Sequence, residues 1–166
     1  RGTTALPRFD GEKFTAGLDG LRDRLAEYFT LGARFTKWRA VISVTDVLPS
    51  RTCLETNARA LALFAALSQE AGLVPIVEPE VLMDGNHTLE RCEEVTTVAL
   101  EIVFTALAAH RVALEGMLLK CGMVLSGADC PAQAGIPAVA AATLRCLRRS
   151  VPAAVPGIVF LSGGQS

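Results

Sequence analysis

The chain has 166 residues, a length suited to one domain. With 51% hydrophobic residues, 20% charged and a mean hydropathy of +0.38, it is neither a disordered nor a solvating chain. A formal charge of −1 with mixed signs argues against nucleic acid or an anionic membrane as partner. No uncharged apolar run reaches the ~18 residues of a membrane-spanning helix.

Residues 1–14 have no clear period and read as a loop or frayed lead-in. They hold no apolar segment, so no secretory leader is expected. From Leu18, apolar residues at Leu21, Leu25, Tyr28 and Phe29 fall at helical spacing, and Gly32 stops the helix. FTKWRAVISV suits a strand. Pro49-Ser50 starts a helix over Arg51–Gln69, with Gly72 as its cap. LVPIVEPEVL reads as a buried strand, and Thr88–His110 as a long helix. VALEGMLLK is the next strand, and a helix over about 137–149 ends in Arg145, Arg148 and Arg149. Val155–Leu161 is the last strand.

Strands alternating with helices imply βαβ units and a parallel sheet covered on both faces. Polar residues mark the strands or their ends at Lys37, Glu78, Lys120 and Ser162, a near-constant spacing of about 42 residues. Eight such units would take about 340 residues, the size of a (β/α)8 barrel enzyme. The expected fold is therefore α/β, a half-barrel of about four βα units forming one partial domain over 1–166. A self-contained, doubly wound four-stranded sheet is the alternative.

In a parallel barrel the C-terminal strand ends build the active site, and residues two apart share a face. Lys37 and Arg39 thus share a face, as do Glu78 and Glu80. Lys120 ends an apolar strand, where loss of solvation favours the neutral amine that attacks a carbonyl; a solvated strand-end lysine is the plain alternative. Two carboxylates on one face suit acid–base work, or are simply solvated. K-W-R is a cationic site or an exposed patch around a core tryptophan. Ser162-Gly163-Gly164 offers backbone N–H groups to a phosphate, or is an ordinary turn.

The five cysteines form no C-x-x-C pair and are read as reduced thiols in a cytoplasmic protein. His87 and His110 are expected at the surface, too isolated for a metal site. The alanines of 138–142 are expected in close helix packing.

VPIVEPEVLMDGNHTLERCEEVT, ALEGMLLK and PGIVFLSGGQS together resemble class I fructose-bisphosphate aldolase, with FTKWRAVI and GEKFTAGLDGLRDRL in the same order. The likeness runs from about Gly11 to Ser166 and covers about the middle half of that enzyme. It implies a metal-independent glycolytic lyase, without cofactor, that splits fructose 1,6-bisphosphate into glycerone phosphate and glyceraldehyde 3-phosphate and runs in reverse. Lys120 then matches the Schiff-base lysine and Glu78 the proton-exchanging carboxylate. Glu80 matches its neighbour, Lys37 the supporting lysine and Arg39 a substrate contact. Ser162, Gly163 and Gly164 match the phosphate loop. The family also suggests a homo-tetramer acting on a phosphorylated sugar.

One departure stands beside the nucleophile: the family usually reads K-P-N-M-V, and this chain has Lys120-Cys121-Gly122-Met123-Val124. The family's first-strand aspartate, third-strand lysine and last-strand arginine have no counterpart here, so the 166 residues alone are expected to be inactive. The reading from another class is a non-catalytic half-barrel that only associates with other chains. A different Schiff-base lyase would lack V-E-P-E together with S-G-G-Q-S, and a metal-dependent aldolase would need a histidine cluster.

Overall fold

A computed structural model describes residues 2–163. Strands β1 (Thr3–Ala5) and β2 (Lys13–Thr15) pair antiparallel. The main chain then runs α1 (Leu21–Thr30), β3 (Phe35–Ile42), α2 (Arg51–Glu70), β4 (Val74–Val81) and α3 (Leu89–Ala109). It continues through β5 (Leu118–Cys121), α4 (Ile136–Ser150) and β6 (Ile158–Phe160). The four later strands form one parallel sheet in the order β3-β4-β5-β6. Each neighbour follows its predecessor through a helix, the arrangement of four consecutive units of a (β/α)8 barrel.

The helices start and stop where the local chemistry expects. The Ser50 side chain accepts from Cys53 N–H and opens α2, and Thr88 accepts from Arg91 N–H and opens α3. Gly72, at φ +74°, takes the left-handed position after α2, and Leu73 N–H closes the turn on Ser68 C=O at 2.9 Å. Pro137 sits in the first turn of α4, and Arg148 and Arg149 in its last.

One face of each strand packs against the helices. Ala40, Val77, Leu119 and Cys121 join Leu61, Phe64, Leu100, Leu107, Ala142 and Cys146 in a single buried cluster. Strand alternation therefore turns Lys37, Arg39, Glu78, Glu80 and Lys120 to the opposite face, which is the inside of the barrel.

Three sequence expectations are corrected here. Residues 3–15 contain a small ribbon rather than only a loop, because buried Glu12 ties it to α2: its carboxylate accepts from Ser50 N–H at 2.6 Å and Ser50 Oγ–H at 2.5 Å. The strand expected over 112–120 begins only at Leu118. The Gln69 side chain holds Ala113 through two bonds, of 2.7 and 2.9 Å, and residues 114–116 form a 3-10 turn. Of the alanines in 138–142, Ala142 is buried while Ala138, Ala140 and Ala141 are exposed, so the stretch is not a packed seam.

Candidate active site

The sheet register assembles the site. Arg39 pairs with Glu78 and Val41 with Glu80 across β3 and β4. Ile76 pairs with Leu118 across β4 and β5, which sets Glu78 beside Lys120 two residues further on. Lys37, Arg39, Glu78, Glu80, Lys120, Leu161 and Gly163 line one open cleft of about 300 Å³.

Glu78 is its centre. The side chain is 1% exposed, yet Oε1 lies 3.1 Å from Lys120 Nζ and Oε2 lies 3.0 Å from Lys37 Nζ. The Lys37 contact is an ion pair whose angles fall short of a hydrogen bond. A carboxylate withdrawn from water needs such partners, because unpaired burial of charge is prohibitive. The two amines stay reachable, at 43% exposure for Lys37 and 29% for Lys120.

Glu80 is nearly as buried and accepts a close bond from Arg39 Nε. That bond and the burial of Arg39 act in opposite directions; the bond is the stronger and lifts the guanidinium above its ordinary value. Three cations face two carboxylates, which leaves one formal positive charge for an anionic ligand. Gly163 borders the cleft with open space on its Cα, Ser162 beside it is exposed, and Gly164 lies outside the described residues.

The sequence reading of Lys120 as an amine among apolar groups is corrected by this geometry. Leu119 points into the helix-side core, and Lys120, one residue on, points at the Glu78 carboxylate. The residue after it, Cys121, is buried among core residues, where burial, with Cys146 adding to it, pushes its thiol up to about 12. Its side chain fills the outer layer and leaves the cleft to Lys120.

A second hollow of about 400 Å³ adjoins the cleft and shares Arg39, Glu80, Leu161 and Gly163 with it. Its far wall is made by Met83 and Asp84 from the β4–α3 loop and by Leu125 and Ala128 from the β5–α4 loop. None of these wall residues is a charged strand residue, and the spacing that marks Lys37, Glu78 and Lys120 does not reach them. His87, expected at the surface, is instead buried at 5% exposure under this wall, whereas His110 is exposed as expected. All five cysteines are free, no group of metal-ligating side chains forms among the described residues, and no described helix is long and apolar enough to cross a membrane.

Comparison with known proteins gives the family of the chain. The family model described as fructose-bisphosphate aldolase class-I matches residues 1–166. The chain is 57% identical over 166 residues to a probable fructose-bisphosphate aldolase class 1 of Xanthomonas campestris, covering all of this chain and 50% of that protein. It is 51% identical to the fructose-bisphosphate aldolase of Dictyostelium discoideum, covering 47% of it. Among solved structures, the Plasmodium falciparum fructose-bisphosphate aldolase, in a complex with TRAP and a small-molecule inhibitor, superposes with a TM-score of 0.97 at 47% identity. That match covers 99% of this chain and 48% of the other. The chain thus spans about half the length of the curated relatives it matches. On its strand order, its barrel-interior charges and these matches, it belongs to the class I fructose-bisphosphate aldolase family.

Proposed function

We propose that this chain supplies the imine-forming half of a barrel that cleaves fructose 1,6-bisphosphate reversibly to glycerone phosphate and glyceraldehyde 3-phosphate, in glycolysis and its reverse. The observation that carries the reading is Glu78 bridging Lys37 and Lys120 in a cleft with surplus positive charge.

Lys120 is the nucleophile. Its amine adds to the substrate ketone, and loss of water gives an iminium ion. When the neighbouring carbon–carbon bond breaks, the hydroxyl of the departing aldehyde gives up its proton and the bonding pair moves towards the iminium nitrogen, leaving an enamine. Protonation of that carbon and hydrolysis by water release glycerone phosphate and restore the amine. Glu78 lies at Lys120 and is placed to give and take the protons of addition and dehydration. Lys37 shares that carboxylate and balances its charge, and Glu80 holds Arg39. Arg39 and the Ser162-Gly163-Gly164 segment receive the phosphorylated substrate.

The protonated imine is the electron sink, so the reaction runs without metal or cofactor, and chelators leave the rate unchanged. Five reduced thiols fit a cytoplasmic enzyme, and a relative from Arabidopsis thaliana at 50% identity is named cytosolic. The resemblance supports a homo-tetramer.

The full-length protein, incubated with glycerone phosphate and borohydride, is expected to carry a reduced adduct on Lys120 in the peptide map. A label on Lys37, or no label, overturns the assignment.

A further inference from the structure

The far wall of the site is two loops crossing at close quarters. Ala128 N–H donates to Met83 C=O at 2.7 Å, Gly127 N–H to His87 C=O at 2.8 Å, and Asp129 N–H to Gly85 C=O at 2.9 Å. The approach is so tight that a Cβ on Gly127 would sit 2.3 Å from Gly85 oxygen. Under this crossing lies the His87 ring. It is 95% buried, and neither nitrogen makes a well-formed hydrogen bond among the described residues. A buried polar group left unsatisfied is costly, so an imidazole at this place calls for a role.

We propose that His87 is a positioning residue for the site: its uncharged ring supports the crossing of the β4–α3 and β5–α4 loops, and charging it opens the wall that Met83, Asp84, Leu125 and Ala128 form beside Arg39 and Glu80. The inference rests on the aldolase reading only for its kinetic consequence.

The surroundings fit an uncharged ring. Burial is the largest cause holding the imidazole below its ordinary value, Arg91 adds to it, and the Leu125 backbone offsets part. The other ionisable groups on the two loops and the first turn of α3 are exposed Asp84, Asp129 and Glu90 and the buried Cys92 and Cys130 thiols. Arg91 itself is held by Thr45 C=O, Leu48 C=O and Glu94, so it stays near the ring. A proton on His87 would put a positive charge on a buried ring beside a guanidinium whose own bonds go to Glu94, Thr45 and Leu48.

The test is amide hydrogen exchange on the full-length protein between pH 7 and 4.5, corrected for the intrinsic pH dependence. Protection of the Gly127, Ala128 and Asp129 amides is expected to fall about tenfold or more as His87 charges, the equivalent of one pKa unit of coupling. In His87→Leu the same amides keep a pH-independent protection, and the acid limb of kcat/KM that tracks their loss in the parent disappears. Should His87→Leu fail to fold, the parent suffices: NMR titration of the His87 ring must share its midpoint with the three amides. Flat protection in the parent, a different midpoint, or an unchanged pH dependence in His87→Leu overturns the proposal. The exchange measurements do not involve catalysis, and the aldolase reading fails separately if Lys120 is not trapped.

Discussion

Glu78 faces Arg39 across the β3–β4 register, yet its carboxylate lies against Lys37, two residues back along the strand, while Arg39 reaches forward to Glu80. The charges interlock diagonally along the barrel interior. The direct bond of Arg39 goes to Glu80, and Glu78 is shared between two amines. One of those amines, on the next strand, is Lys120.

Glu78→Gln keeps the shape of this centre and removes its charge and its base. The variant is expected to fold, with kcat lowered about 100-fold or more in the full-length protein, the lower range for loss of a general acid–base group. A coupled aldolase assay together with circular dichroism checks both parts. A rate within threefold of the parent would show that Glu78 only neutralises charge.

Glu12→Ala should destabilise without touching the cleft. Glu12 is buried and accepts two bonds from Ser50, which itself caps α2. Removing it leaves the half-buried Ser50 N–H and hydroxyl without their acceptor, at about 1 kcal/mol, the low end of the usual cost. Urea unfolding should show the lower midpoint with an unchanged slope, and Glu12→Gln should recover part of it.

The buried thiols make an alkaline prediction. Burial pushes Cys53 up to about 11 and Cys121 up to about 12. Groups whose folded values are raised stabilise the fold fully below the unfolded thiol value and lose that contribution as pH rises through the folded one. Stability should therefore decline from about pH 9 upward, the ordinary thiol range. At pH 8, a disulfide-exchange reagent should label Cys53 and Cys121 only after denaturation. Rapid native labelling of either would contradict their burial.

The 166-residue segment expressed alone is expected to associate and to show no aldolase turnover. On β3, Thr15 Oγ1 donates to Arg39 C=O at 2.5 Å and so covers part of one sheet edge. The β6 side carries Val159 and Phe160, both nearly half exposed, and bare strand edges template pairing with other chains. Light scattering should find multimers, shifted towards monomer by Phe160→Lys. A monomer with ordinary turnover would contradict both expectations.

Period and caps made much of the fold legible in the sequence. Helical spacing placed α1, Ser50 and Thr88 marked helix starts through bonds that span only three residues, and Gly72 and Pro137 marked an end and a start through their own backbone preferences. Alternation alone put Glu78 with Glu80 and Lys37 with Arg39, because strand geometry fixes which residues share a face. Long-range contacts decided the remainder. Nothing local in VALEGMLLK announces that Gln69, on another element, bends it before Leu118. Nothing near His87 says that a loop about 40 residues onward lies over it, and a polar histidine before a helix reads as surface until that loop is placed. The partner choice of Glu78 was hidden for the same reason. Side-chain facing is a property of one strand, but which amine a carboxylate meets depends on register and lean between strands, and only the assembled sheet sets those.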